Sequence, residues 1–202
     1  MKKYINNLDK KNQLYVYLSI ILLLIFAISI ISLSKGIVEI SFSEMFHLFF
    51  SDSTTLDSTN KSILLDIRLP RILLSFFVGL ALSISGAVMQ GIFRNPLADP
   101  SILGVSAGAA LGAVIPFSLA IHTAHLLVVP FFSFIGGLIA SILVYLIFIF
   151  TFKKSNTILL LAGIAIGSFL NALITLSVYL SENPFQMRSI FYWLIGGFES
   201  TR

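Results

Sequence analysis

From Pro100 to Phe152 the chain contains no Asp, Glu, Lys or Arg. Soluble domains carry roughly 25% charged residues, so a run of this kind is built for lipid. A bilayer core of ~30 Å is crossed by about 20 helical residues. The run is therefore too long for one helix and should hold two. The break is expected between Pro116 and Pro130, where SLAIHTAH supplies the polar residues. The first span of the pair, about Ser101–Ile115, is short and glycine-rich; the second is expected over about Leu126–Phe152.

The rest of the chain follows the same rule, with 57% hydrophobic and 11% charged residues and a mean hydropathy of +0.98. Leu14–Leu33 is an uncharged first span, and about Asp66 to Phe93 a second. Between them SFSEMFHLFF mixes apolar and polar residues and reads as a short interfacial helix, with His47 at the interface. Ser155–Ser181 makes a fifth span, and SIFYWLIGGF after it is too short to cross. The basic start and long apolar run differ from a signal peptide, whose apolar core is shorter and ends in a small-residue cleavage site. The expected fold is an all-α polytopic membrane protein of about five transmembrane helices plus short interfacial helices. Residues 1–13 form a cytoplasmic N-terminus and 14–202 one transmembrane domain.

Orientation follows from the cations. Lys2, Lys3, Lys10 and Lys11 precede span one, and Lys153 and Lys154 follow span four. Four crossings put both clusters on one side, which the positive-inside rule makes cytoplasmic. Arg94 joins them, and Glu39, Glu44, Asp52, Asp57, Asp66 and Glu182 fall outside. Arg68 and Arg71 also fall outside, against the rule. They bracket RLPR at the start of span two and, three apart, can share one helical face. They either anchor a helix end at headgroups or present a fork to carboxylates of an extracytoplasmic partner; the breach of the charge rule favours the second.

Other candidate sites are sparse. Gly104, Gly108, Gly112, Gly163 and Gly167 recur at helical spacing and read as close-packing positions. Gln90 and Asn171 either line a pathway or bond between helices. His122 and His125 form a bare H-x-x-H without the further ligands zinc requires, so no metal site is expected. There is no cysteine, no phosphate-cradling glycine loop and no nucleophile elbow. An enzyme, a resident cofactor and nucleic-acid binding are therefore not expected.

One polar knot remains, RNPLADPSILGVSAG from Arg94 to Gly108. Pro96 and Pro100 stop one helix and start the next. Asn95 and Asp99 can cap exposed N–H groups, with Asp99 favoured by the helix dipole.

The block from Arg68 to Ala113 resembles the signature of permease subunits of iron-chelate and cobalamin ABC importers, the FecCD-type family. The resemblance continues through NTILLLAGIAIG (Asn156–Gly167) and FYWLIGGF (Phe191–Phe198). It implies the first half of a ten-span permease in the bacterial cell membrane that imports a siderophore, haem or cobalamin. Implied partners are a second permease subunit, cytoplasmic ATP-binding subunits that hold the ATP, and an extracytoplasmic substrate-binding protein. By the same likeness Arg94, Asn95, Pro96, Asp99 and Pro100 form the cytoplasmic turn between spans two and three. Arg68 and Arg71 meet glutamates of the binding protein, and Asn156 and Thr157 stand at the cytoplasmic gate. The sequence ends at GGFESTR, before the sixth span and the coupling helices, so transport by this chain alone is not expected; a truncated reading frame or a piece of a longer chain is the simplest account, and a non-functional truncated permease is an alternative. Two other classes fit the sequence less well. A water-channel-like protein needs two NPA-type loops where one NPL occurs, and a secondary transporter needs intramembrane ionisable groups.

Overall fold

The computed structural model describes residues 2–50, 58–152, 154–181 and 183–198, with the side chains of 2–9, 47–50 and 58 left aside. The expectations for Asp52, Asp57, Lys153 and Glu182, and for the side chains of Lys2, Lys3 and His47, lie outside the described residues. All regular structure described is helical. The chain divides into two compact units, one of Met1–Val78 with Phe198–Arg202 and one of Gly79–Gly197.

In the first unit, α1 runs Lys2–Ser34. It is longer than a bilayer needs, because residues N-terminal to the apolar run continue the same helix; its candidate span is Lys10–Ser34. A short loop follows, closed by reciprocal bonds. The Ile40 N–H donates to the Ser34 carbonyl at 3.1 Å, and the Ser34 hydroxyl to the Ile40 carbonyl at 2.8 Å. The Lys35–Glu39 pair spans the loop at 2.7 Å, and the Lys35 ammonium holds the Glu39 carboxyl below its ordinary range. Then α2 (Phe42–Phe50) starts on a capping box. Ser41 accepts from the Ser43 N–H at 3.3 Å, and the Glu44 carboxylate accepts from the Ser41 N–H at 2.9 Å. Ile40, Met45 and Leu64 form the buried centre, with Ile30, Leu33 and Ile63 packed on it.

Next, α3 (Ser58–Ser62) leads through a π-helical turn, Ile63–Arg68, into α4 (Leu69–Phe93). The wide turn has a local cause. Pro70 has no N–H to give the Asp66 carbonyl and its ring crowds that carbonyl, and the Leu69 N–H reaches back to the Leu64 carbonyl instead.

The second unit takes the chain from Gly79 of α4 through a turn and a 3-10 turn (Pro100–Leu103) to α5 (Val105–Ser118), α6 (Val128–Phe150), α7 (Asn156–Tyr179) and α8 (Pro184–Ile195). Helices α5, α6 and α7 pack on one another, and α8 lies on α5. Their core is Ala113, Val114, Phe117, Val129, Ile174 and Ile190. Gln186 of α8 bolts the end of α5 by donating to the Phe117 and Ser118 carbonyls. The break after α5 falls where expected, although Pro116 lies inside α5 and Pro130 in the first turn of α6, where its missing N–H leaves no partner short.

Among the described residues, four helices are long and apolar enough to cross a membrane: Lys10–Ser34, Thr59–Phe93, Val128–Phe150 and Asn156–Tyr179. The remaining expected span, the third, is the shorter α5, with 14 residues. Large side chains such as Leu23, Phe26, Leu82, Ile84, Phe134 and Ile139 are exposed, which water penalises and a bilayer does not.

Candidate functional site

The turn after α4 is held almost entirely by its own atoms. Arg94 is left-handed, with φ 49°. The Asn95 N–H reaches the Gln90 carbonyl at 3.2 Å, the six-to-one bond of a Schellman end. The Asn95 side chain accepts from the Leu97 N–H at 3.0 Å, closing an Asx turn. Asp99 accepts from the Ser101 N–H at 2.7 Å and caps the 3-10 turn, which Pro100 opens. Hydrogen bonds from Ser101, through its side chain and then its backbone, hold the Asp99 carboxyl below the usual range. Gly104, with φ 71°, ends the 3-10 turn and starts α5. The capping roles expected of Asn95 and Asp99 are therefore met in the geometry.

The start of α7 comes to the same place. Ser155 caps it by accepting from the Ile158 N–H, and the Asn156 side-chain amide donates to the Ile92 carbonyl at 3.2 Å. That carbonyl is one of the last four of α4, which no intrahelical N–H can reach. A pocket of about 210 Å³ opens between Phe93, Asn95, Ala98, Ile102, Asn156, Thr157 and Leu160. The turn and the expected gate residues, far apart in sequence, are thus walls of one cavity. Arg94 and Pro96 are exposed outside it. A larger open cleft of about 700 Å³ runs between α5 and α7, with Ser101, Ser106, Ser168 and Asn171 as its polar lining.

The packing glycines serve two contacts. Gly108 and Gly112 lie against α6, where a Cβ on Gly108 would stand 2.5 Å from both the Gly136 carbonyl and the Ala140 Cβ. Gly163 lies against Ile102 and Leu103, and Gly167 against Gly104. Sequence reasoning missed Gly136, although Gly136 and Ala140 form a small-xxx-small pair that could have revealed it. The two histidines shape the loop before α6. The His125 Nδ1 accepts from the Leu127 N–H at 3.1 Å, and the His122 ring lies 4.7 Å from that of Phe117.

In the first unit, Arg68 is committed to α1. Its guanidinium donates to the Leu33 and Val38 carbonyls and, at 3.1 Å, to that of Ser34. Leu33 and Ser34 are acceptors at the C-terminus of α1, where a cation is favoured, and Val38 lies in the loop beyond it. Gly36 makes room, since a Cβ there would lie 2.6 Å from the Arg68 Nη2. Arg71 is half-buried on a neighbouring open cleft of about 640 Å³ that also includes Lys35 and Arg68. No sequence signal pairs Arg68 with a loop some thirty residues earlier.

Comparison with known proteins gives one consistent family. Residues 21–202 match the model of the FecCD transport family. The chain is 35% identical over 191 residues to the molybdate import system permease protein MolB of Haemophilus influenzae, covering 89% of this chain and 53% of that protein. It is 37% identical over 187 residues to the hemin transport system permease protein HmuU of Yersinia pestis, covering 89% and 52%. A metal-chelate type ABC transporter solved in an inward-facing conformation superposes with a TM-score of 0.72 at 32% identity, over 89% of this chain and 53% of that one. The chain spans about half the length of these relatives. With the family model covering nearly all of the helical chain, the protein belongs to the FecCD transport family.

Proposed function

We propose that this chain is a permease subunit of a binding-protein-dependent ABC importer that carries a metal chelate, of siderophore or haem type, or cobalamin into the cytoplasm. It sits in a bacterial cell membrane with its N-terminus cytoplasmic. It works with a second permease subunit, cytoplasmic ATP-binding subunits and an extracytoplasmic substrate-binding protein. The chain itself binds and passes substrate, and ATP is hydrolysed by the partner. Arg68 and Arg71 supply the docking charge, with Arg68 also fixing the frame through α1. The turn from Arg94 to Pro100 and the gate residues Asn156 and Thr157 work as one element.

The observation that carries this reading is the shared pocket, in which the Asn156 amide bridges α7 to the end of α4 beside Asn95 and Thr157. Opening a passage at that end separates α4 from α7 and breaks this bond. The test is uptake in the native cell after deletion of the gene, with labelled ferric siderophore, haem, cobalamin and molybdate offered in turn. Loss of uptake of a chelate or cobalamin, restored by the gene and abolished when the ATPase partner is inactivated, is the expected result. Restoration with Asn156→Ala should give ATP hydrolysis less dependent on loaded binding protein. Uptake that persists without ATPase activity refutes the importer reading, and loss of molybdate uptake alone refutes the chelate.

A further inference from the structure

The described apolar side chains of α2 divide between burial and exposure. Met45 is 6% exposed in the cluster with Ile40 and Leu64, but Phe42 and Phe46, one helical turn apart, are 57% and 60% exposed. Ser43 and Glu44 form the polar arc, with Glu44 on the far side from Phe42 and Phe46 and tied back to the Ser41 N–H. The helix starts on its own capping box, which fixes where it begins.

We propose that α2 lies in the membrane–water interface, with Phe42 and Phe46 inserted at the boundary between headgroups and acyl chains. Its depth is set by α1. The reciprocal Ser34–Ile40 bonds fold the seven-residue loop between the two helices back on the end of α1, so that α2 starts two residues after a residue tied to the last turn of a helix long enough to span. That turn is where a span leaves the hydrocarbon. The same corner marks the boundary chemically: the exposed Lys35–Glu39 pair faces water, while Ile37 is fully exposed with no protein cover. Aromatic side chains on a short capped helix with a narrow polar arc suit an interfacial site, whereas a span must be apolar all round. The partner is therefore lipid, the same medium that the exposed apolar side chains of α1 require. This inference requires only that α1 spans the bilayer and is independent of what the protein carries.

The test places a tryptophan at Phe46 in the full chain, reconstituted in phosphatidylcholine vesicles, with the signal of the single native Trp193 subtracted from the unsubstituted chain. Lipids brominated near the headgroup end of the acyl chain should remove most of the Phe46→Trp emission, and lipids brominated near the methyl end much less. Ser43→Trp, on the polar arc, should instead be quenched by aqueous iodide. Phe42→Trp repeats the measurement should Phe46→Trp fail to insert. Two outcomes overturn the proposal. One is iodide quenching of Phe46→Trp as strong as that of Ser43→Trp, which puts the face in water. The other is protection from both bromine and iodide, which means another protein segment or a second copy covers it.

Discussion

Adjacent glycines in the middle of α6 should respond in opposite ways to the same methyl group. At Gly136 an added Cβ meets the Gly108 carbonyl, with the Gly112 Cα at 3.0 Å and the Gly108 carbonyl carbon at 3.1 Å. All three are backbone atoms, so no rotamer change relieves them. Carbon–carbon contacts are optimal at about 3.5–4.0 Å, so α5 and α6 must part by roughly 0.5–1 Å, which forfeits a quarter to a half of each contact along the seam. Overpacking of this kind costs about 1–3 kcal/mol, and backbone on both sides argues for the upper end. Alanine recovers up to about 1 kcal/mol of helix propensity over glycine. The net expectation for Gly136→Ala is a loss of about 2 kcal/mol, close to thirtyfold in the folding equilibrium. At Gly137 the nearest atom to a new Cβ is the Val105 Cγ1 at 3.4 Å, an ordinary contact. Gly137→Ala should be neutral or stabilising by up to about 1 kcal/mol. Reversible unfolding of the two variants in lipid bicelles measures the difference. Equal stabilities, or a Gly136→Ala chain firmer than the parent, would refute the backbone-contact reading.

Arg94 occupies a left-handed site that glycine enters without Cβ strain, so Arg94→Gly should stabilise by about 0.5–1 kcal/mol in the same unfolding assay; a loss would show that the arginine side chain holds the turn. The Asp99 carboxyl is depressed in the folded chain. Its contribution is therefore present above the ordinary carboxylate pKa of about 3.9 and is lost as pH falls through the lower folded value. Asp99→Asn keeps the cap acceptor and should remove that acid-side loss, seen as a flatter stability–pH curve below about pH 4. Arg68→Lys removes the fork that reaches three carbonyls, and Gly36→Ala crowds the same guanidinium. Both should accelerate amide exchange at Ile40, and an unchanged rate in both variants would remove Arg68 as the clasp of α1.

What the sequence could reveal follows from what lipid demands. A bilayer forces every backbone group to pair within its own segment, so uncharged runs report helices directly. Ser155–Ser181 became Asn156–Tyr179, and the break between the two middle spans fell between Pro116 and Pro130. The start of α1 was less legible, because an apolar run measures bilayer thickness while the helix continues from Lys2 on local propensity. The caps at Asn95 and Asp99 were readable because their bonds close within two residues. Arg68 was not, since its partners are carbonyls that carry no side-chain signature and lie thirty or more residues away. The meeting of Asn156 with Ile92 is hidden for the same reason.

The seam between α5 and α6 has a mechanical consequence. Where Gly108, Gly112 and Gly136 touch, no side chain lies between the two backbones, so the joint has nothing to re-pack and no alternative set of rotamers to adopt. A pair fastened in this way turns as one stiff plate, and bending is displaced to its margins. The margin that leads into α5 carries left-handed residues at both ends of the knot, Arg94 and Gly104. Bending between α4 and this plate falls at those two dihedrals.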